Sequence, residues 1–328
     1  FAVGGGTPLI LDEGQLEELF CLAELFGVHP SRVFTSVETS PEYTQKSVLR
    51  QLRARGVERL SMGVQSFNET ELKKLKRRPG LGTVVGALEN IVEAGFPQFN
   101  LDLIYGIEGQ TVESFMRSLN TALTYRPNEL FIYPLYVRPG TRINVRSTDD
   151  IGYAIYKSAR ELLVGQGFVQ TSMRRFVRRE TTETEFSCGD EVMLSCGAGG
   201  RSYLGNLHYA TPYAVRQQAI ADEIGHYIRT TDFMTAANGF LLSTEEMQIR
   251  FIIKNLMYHR GVDLAEYEKR FGEKPDRKLF REFTDRGWIE ETGRIVRLTE
   301  EGMAYSDYIG QAFISPVVRK LMSEYVYP

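Results

Sequence analysis

The sequence predicts an α/β fold with a parallel sheet, followed by a smaller α-rich module. Three observations carry this. Short apolar strand patterns recur near residues 2, 35, 61, 101 and 131, and each but the last is followed by a helical pattern. Such βα repetition gives parallel strands, arranged as a barrel or a doubly wound sheet. After Gly140 the period is lost, and from Ser243 a compact run of helices with one hairpin begins.

Phe1-Ala2-Val3 is a short apolar run ending in Gly4-Gly5-Gly6-Thr7-Pro8. Residues 13–27 read as a helix, because Leu16, Leu19, Phe20, Ala23 and Phe26 share one apolar stripe. Gly27 and Pro30 stop it. Residues 33–38 are β-like, and a helix with Val48, Leu49 and Leu52 follows. Leu60 to Val64 form the third strand, with helical stretches at 69–78 and 82–95 after it. Phe99 to Ile104 is the fourth strand, residues 111–125 a helix, and Leu130 to Tyr133 the fifth strand. Beyond these, 150–166 and 212–229 read as helices, and 168–210 as irregular and Gly-rich. Helices at 244–257, 263–271 and 276–286 precede a hairpin across Glu291-Thr292-Gly293, and a last helix starts after Thr299. This closing pattern is winged-helix-like. The expected domains are 1–145, 146–235 and 236–328.

Composition narrows the function. The chain has 328 residues, 42% hydrophobic and 25% charged, enough for a sizeable core. Its 39 basic and 42 acidic residues leave a net charge of −3, which argues against a strongly basic nucleic-acid binder. The segment 276–286 sets Arg277, Lys278, Arg281 and Arg286 against Asp276, Glu282 and Asp285, which is no phosphate-binding face; a lid over the substrate site suits the module better. No apolar run approaches the roughly 18–20 residues of a membrane helix. Three scattered cysteines, Cys21, Cys188 and Cys196, make no disulfide framework and imply a reducing, cytoplasmic setting.

Polar residues gather at strand ends. Glu38 ends the second strand, Gln65 follows the third, Asp102 lies in the fourth, and Arg77 comes twelve residues after Gln65. In parallel sheets, catalytic and binding groups lie at the C-terminal ends of the strands. Tight glycines let backbone approach a ligand. Arginine matches a carboxylate, while carboxylates and glutamine match ammonium and hydroxyl groups. The ligand expected from these groups is zwitterionic and carries a sugar. Taken singly, each feature has a plainer reading: a glycine turn, a structural Asp, or Arg77 as part of a solvated basic helix face.

Taken in order, the motifs are more specific. Gly4-Gly5-Gly6-Thr7-Pro8, Glu38 in Glu-Thr-Ser-Pro, Gly63-Val64-Gln65-Ser66-Phe67, Arg77, and Asp102-Leu103-Ile104-Tyr105-Gly106 before Gly109-Gln110-Thr111 resemble the radical S-adenosylmethionine (SAM) superfamily. Within it the chain is similar to the branch of the oxygen-independent coproporphyrinogen III oxidases. Tyr133 to Thr141, Gly197 to Ser202 and the module from Leu241 to about Val317 resemble later parts of that branch. The resemblance implies a partial (β/α)6 barrel, a [4Fe–4S] cluster, and SAM, cleaved to methionine and a 5′-deoxyadenosyl radical. It implies that Gly5, Gly6 and Thr7 meet the methionine amino group and that Arg77 pairs its carboxylate. Glu38, Gln65 and Asp102, with Gly197 and Gly199, are expected to contact one or two SAM molecules. A reductant such as flavodoxin or ferredoxin is implied as a partner, with neither nucleic acid nor membrane.

The chain departs from the family at one point. The family's C-x3-C-x2-C cluster loop is missing, and no set of the three cysteines replaces it. The chain begins without Met, as if inside a strand, so the first strand and cluster loop are expected upstream of Phe1; the alternative is a cluster-less relative. Glu108 also stands where the family usually has Pro. The branch holds several activities. Radical C-methylation with two SAM molecules is the main expectation here. Oxidative decarboxylation of coproporphyrinogen III is the alternative, and a heme- or SAM-binding protein without turnover is a third. Chaperone relatives carry His-Asn-x-x-Tyr-Trp, and none of His29, His208, His226 or His259 is followed by Asn. The substrate is expected to be a small molecule, a tetrapyrrole or a peptide. Arg174 and Arg175, in the basic run 174–179, and Arg201 and Tyr203 are the expected substrate contacts, with a solvated basic loop as the plainer reading.

Overall fold

The computed structural model describes residues 1–77, 80–136, 149–178, 192–212, 214–236 and 238–325. They fall into two units, the first formed by 1–136, 149–170 and 174–178, the second by 171–173 and 192–325. Cys188, the loop Val137 to Thr141 and the expected boundary at 145 lie outside the described residues.

The first unit is built on β1 (Ala2–Val3), β2 (Ser36–Thr39), β3 (Arg59–Gln65), β4 (Gln98–Tyr105) and β5 (Glu129–Pro134), parallel and in sequence order. Between them run α1 (Glu13–Glu24), α2 (Lys46–Ala54), α3 (Glu69–Lys74), α4 (Leu81–Ala94) and α5 (Val112–Thr124). Helix starts follow local chemistry. Asp12 with Gln15, and Thr111 with Ser114, form reciprocal capping boxes. Asn68 caps α3 by accepting from the Thr70 and Glu71 amides.

Strand alternation then separates two faces. Val37, Leu60, Met62, Leu101, Leu103 and Leu130 are buried on one face. The helices bury their apolar stripes, including Leu49 and Leu52, Leu88 and Ile91, and Phe115 and Leu119. Each such side chain contributes about 1.5–3 kcal/mol on burial. The other face is polar. The register pairs Ser36 with Arg59, Glu38 with Ser61, Ser61 with Asn100, Gly63 with Asp102, and Asn100 with Glu129.

After α6 (Asp149–Gly165), β6 (Phe168–Gln170) and β7 (Arg175–Arg178) join the sheet antiparallel, giving the order β1-β2-β3-β4-β5-β7-β6. The sheet is mixed and open, with β1 and β6 at its edges, so it is a partial barrel rather than a closed one. Strands thus replace part of the irregular segment expected over 168–210. A buried ion network crosses the polar face. Glu129 accepts from Arg59 Nε at 2.9 Å and from Arg175 Nε at 2.6 Å, while Arg59 Nη1 donates to Ser36 Oγ at 2.9 Å. Burial alone would raise the Glu129 carboxyl, but Arg59 and Arg175 outweigh it and hold it below the ordinary range.

The second unit holds an antiparallel sheet of β8 (Val192–Met193), β9 (Arg201–Leu204), β10 (Leu207–Ala210) and β11 (Gly239–Leu241), with α7 (Gln217–Arg229). The C-terminal module follows. It contains α8 (Thr244–Leu256), β12 (Val262–Asp263), α9 (Leu264–Phe271), α10 (Lys278–Asp285), β13 (Ile289–Thr292) and β14 (Ile295–Leu298). Its core includes Ile252, Leu256, Val262, Phe283, Val296 and Ile309. The expected hairpin is β13–β14, and β12 adds a third strand beside β14. The expected single last helix is three: α11 (Glu300–Ala304), α12 (Ser306–Ala312) and α13 (Pro316–Glu324). Pro316 starts the last of them, where its missing N–H costs nothing. Three of the four cations of the segment 276–286 are paired: Arg277 with Glu291, Arg281 with Asp285, and Arg286 with Glu282.

Glu129→Ala would leave two buried guanidinium groups facing each other. A loss of about 3–5 kcal/mol is expected, read from the urea midpoint. A loss below about 1 kcal/mol would show that the network is not structural.

Candidate cofactor site

The C-terminal ends of β1 to β4 bring three of the sequence-predicted residues onto neighbouring strands. Glu38, near the end of β2, turns its carboxyl against the glycine loop after β1. The Gly5 amide donates to its Oε2 at 3.2 Å. A Cβ at Gly4 would lie 2.7 Å from the Glu38 carboxyl carbon, so any other residue here would push the carboxyl out of this position. At Gly5 and Gly6 a Cβ would meet nothing within 4 Å, which leaves this side of the loop open. Thr7 spends its carbonyl on the Ile10 amide.

Gln65 closes β3 with φ +74, a left-handed conformation that is strained for a side-chain-bearing residue. The register shifts between Gly63 and Gln65, and the Gln65 amide folds back over Gly63. A Cβ there would come within 2.5 Å of Gln65 Nε2. Gly63 in turn pairs with Asp102 on β4, while Gln65 itself stands opposite Leu103, so it is the folded-back amide over Gly63 that comes to the Asp102 rung. Asp102 accepts from Asn100 Nδ2 at 2.7 Å, and the same amide nitrogen lies 2.7 Å from Ser61 Oγ. Burial pushes the Asp102 carboxyl up to about 7, against Asn100 and Arg59, with Glu38 and Glu129 adding to the rise. Tyr133, on β5, is driven far above the ordinary phenol range by burial and by Asp102.

The other expected residues have the following local surroundings. Arg77 is exposed beyond α3, its amide donating to the Leu72 carbonyl at 3.0 Å. Arg175 has a structural partner, Glu129, and is buried with it. Arg174 is buried in the same unit, donating to the Tyr136 hydroxyl at 3.0 Å and to the Tyr105 hydroxyl at 3.4 Å. Gly197 and Gly199, both at positive φ, give their amides to Tyr227 Oη at 2.8 Å and Thr211 Oγ1 at 2.7 Å. Arg201 is exposed on β9. Tyr203 lies between the His208 ring, 4.5 Å away and edge-on, and the Arg250 guanidinium at 4.8 Å. Burial, Arg250 and Lys254 lower His208 to about 4.

Asn100, Ser61 and Tyr133 were not expected at the site. For Asn100 the available signal is period-two alternation, since residues 100 and 102 of one strand must share a face.

The residues fit SAM. The site offers two carboxyl groups, one glutamine amide and the buried Asn100 Oδ1, which has no partner. A buried acceptor of this kind calls for a donor. The ammonium, ribose hydroxyls and adenine amine of SAM supply donors. The described residues do not fit the cluster. Cys21 is exposed on α1 and Cys196 is exposed after β8. No group of three or more His, Cys, Asp or Glu among the described residues is placed to hold a metal.

Comparison with known proteins identifies the domains that carry these residues. Residues 1–122 match the radical SAM superfamily, and residues 242–305 match the HemN C-terminal domain. The chain carries a radical SAM domain and a HemN C-terminal domain. The radical SAM family uses SAM and a [4Fe–4S] cluster. The radical SAM chain is 27% identical over 334 residues to the heme chaperone HemW of Bacillus subtilis, spanning 95% of this chain and 84% of that protein. It is 26% identical over 330 residues to the oxygen-independent coproporphyrinogen III oxidase of Escherichia coli, spanning 91% and 70%. The solved E. coli coproporphyrinogen III oxidase, HemN, shares the fold with a TM-score of 0.80 at 23% identity, over 95% of this chain and 76% of that one. The chain is thus a radical SAM enzyme of the HemN/HemW type. The relatives correct one expectation: they do not support radical C-methylation, and oxidase or heme-chaperone activity fits better.

Asp102 titrates at about 7 in the fold and near 3.8 when unfolded. The folded chain therefore holds a proton that the unfolded chain releases, and Asp102 weakens the fold as pH rises from about 4 to 7. Asp102→Asn is expected to raise the melting temperature most above pH 7 and little near pH 4. An equal shift at both pH values would refute the buried-carboxyl account.

Proposed function

We propose that this radical SAM enzyme binds SAM across the ends of β1 to β4 and acts on a tetrapyrrole, as an oxygen-independent coproporphyrinogen III oxidase. The observation that supports SAM binding best is the set of polar groups held at glycines: Glu38 on Gly4 and Gly5, and Gln65 over Gly63, beside Asp102. In this reading the Gly5–Thr7 loop and Glu38 receive the ammonium group. Gln65, Asp102 and Asn100 take hydroxyl or amine donors, and exposed Arg77 takes the carboxylate. Gly197 and Gly199 are left out, because their amides already have partners. The oxidase is preferred because no histidine of the chain is followed by Asn, as the chaperone signature requires. A flavodoxin or ferredoxin reductant and a cytoplasmic setting rest on the family resemblance and the sparse cysteines. Among the described residues, no helix is long and apolar enough to cross a membrane.

A heme chaperone is the second reading. It is favoured by the HemW match, which spans 84% of that protein against 70% for the oxidase.

Calorimetric titration tests the first part. Arg77→Ala should weaken SAM binding by roughly 10- to 100-fold, the loss of a charge-assisted hydrogen bond. Unchanged affinity removes Arg77 from the site, and absence of SAM binding by the unaltered chain removes the whole reading. Titration with coproporphyrinogen III and with hemin separates the two functions. Saturable binding of coproporphyrinogen alone is expected, whereas a Soret shift with hemin alone would favour the chaperone.

A further inference from the structure

Glu71 is buried in α3, only 4% exposed, and faces three neutral donors. Ser66 Oγ donates to it at 2.5 Å, Ser114 Oγ at 2.6 Å and Gln110 Nε2 at 2.9 Å. No cation pairs with it among these contacts, so the three hydrogen bonds answer its burial. The donors come from three places in the chain: the loop after β3, the loop after β4 and the first turn of α5.

Each donor also fixes backbone. Ser66 Oγ accepts from the Asn68 amide at 2.9 Å, and Ser118 Oγ, 3.4 Å from Ser66 Oγ, accepts from the Phe67 amide at 3.1 Å. Gln110 Oε1 accepts from the Gly106 amide at 2.8 Å and the Ile107 amide at 3.4 Å. One turn on from Glu71, Lys74 Nζ donates to the Glu108 carbonyl at 2.6 Å. The segment Ser66 to Asn68 begins immediately after Gln65, whose left-handed backbone persists only if its surroundings over-determine it. Downstream, α3 ends two residues before the backbone that carries Arg77 turns back to Leu72.

We infer that Glu71 is a positioning residue for the SAM site, locking the loops after β3 and β4 so that Gln65 keeps its strained conformation over Gly63. It touches no ligand itself. The lock deepens the SAM reading and rests on it for the identity of the ligand, but the lock itself is a property of the chain's own loops.

Two measurements on the full chain test this. Hydrogen exchange by mass spectrometry should show faster exchange in segments 65–68 and 106–110 in Glu71→Gln, where one amide nitrogen now faces donors. Ser114→Ala, which removes one bond of the three, should show the same change more weakly if Glu71→Gln folds poorly. Calorimetric titration with SAM then forms a double-mutant cycle with Gln65→Ala. Glu71→Gln should weaken SAM binding roughly tenfold in the unaltered background, a change of about 1.4 kcal/mol. In the Gln65→Ala background it should weaken binding less than about twofold, because its target is gone. Unchanged exchange in both segments overturns the inference, as does an undiminished loss in the Gln65→Ala background. If the unaltered chain binds no SAM while exchange in both segments still rises, the lock stands and the SAM reading fails.

Discussion

The polar face of the first unit depends on the Glu129 carboxylate between Arg59 and Arg175. These groups come from β5, β3 and β7, so one network spans the parallel strands and ties the antiparallel extension to them. Its geometry satisfies both guanidinium groups, which makes burial of the charges tolerable. It also decides what the groups above it experience. Arg59 lies near enough to pull Asp102 down, yet Glu129 is its hydrogen-bonded partner, and burial of Asp102 wins. The ion network is thus structural at the base of the sheet and electrostatic at its mouth.

Much of the fold was legible in the sequence because the period of the hydrophobic pattern reports it directly. The five parallel strands and their helices follow from that period, and the helix ends from Asp12, Asn68 and Thr111. The strands in 168–210 were not legible, since segments of two to four residues are too short for alternation to show. The strand within the basic run was hidden for the same reason. In β7, Arg175 turns to Glu129, and Arg178 lies 4.6 Å over the Phe168 ring with Nε on the Pro127 carbonyl. Nothing local marks Arg59 or Glu129 as partners, for they stand 70 residues apart.

The site residues show the reverse pattern. Glu38, Gln65 and Asp102 were readable because they sit at strand ends, where side chains of neighbouring strands converge. What sequence could not give was how tightly glycine governs them. Gly4 and Gly63 are the places where a carboxyl and an amide lie flat against backbone. The strain at Gln65 belongs to the same design, since a left-handed residue at the end of β3 swings its side chain back onto the strand rather than out over the loop. Such strain persists only beside a rigid support, and the neighbouring serines and Gln110 gathered on Glu71 are of that kind.

Charge at the mouth favours one kind of ligand over another. Glu38 adds to the rise of the Asp102 carboxyl, and burial, the larger cause, keeps a proton on Asp102 up to about 7. An anion placed here would face two carboxyl groups and gain no cation from the base, where Arg59 and Arg175 are held by Glu129. A ligand bearing a positive charge does the opposite, stabilising both carboxylates. SAM, with its ammonium and sulfonium groups, suits that balance. The carboxylates of a tetrapyrrole do not, so in an oxidase of this type they have to be met by residues other than Glu38 and Asp102. Arg175 is no candidate for them while it completes the Glu129 network.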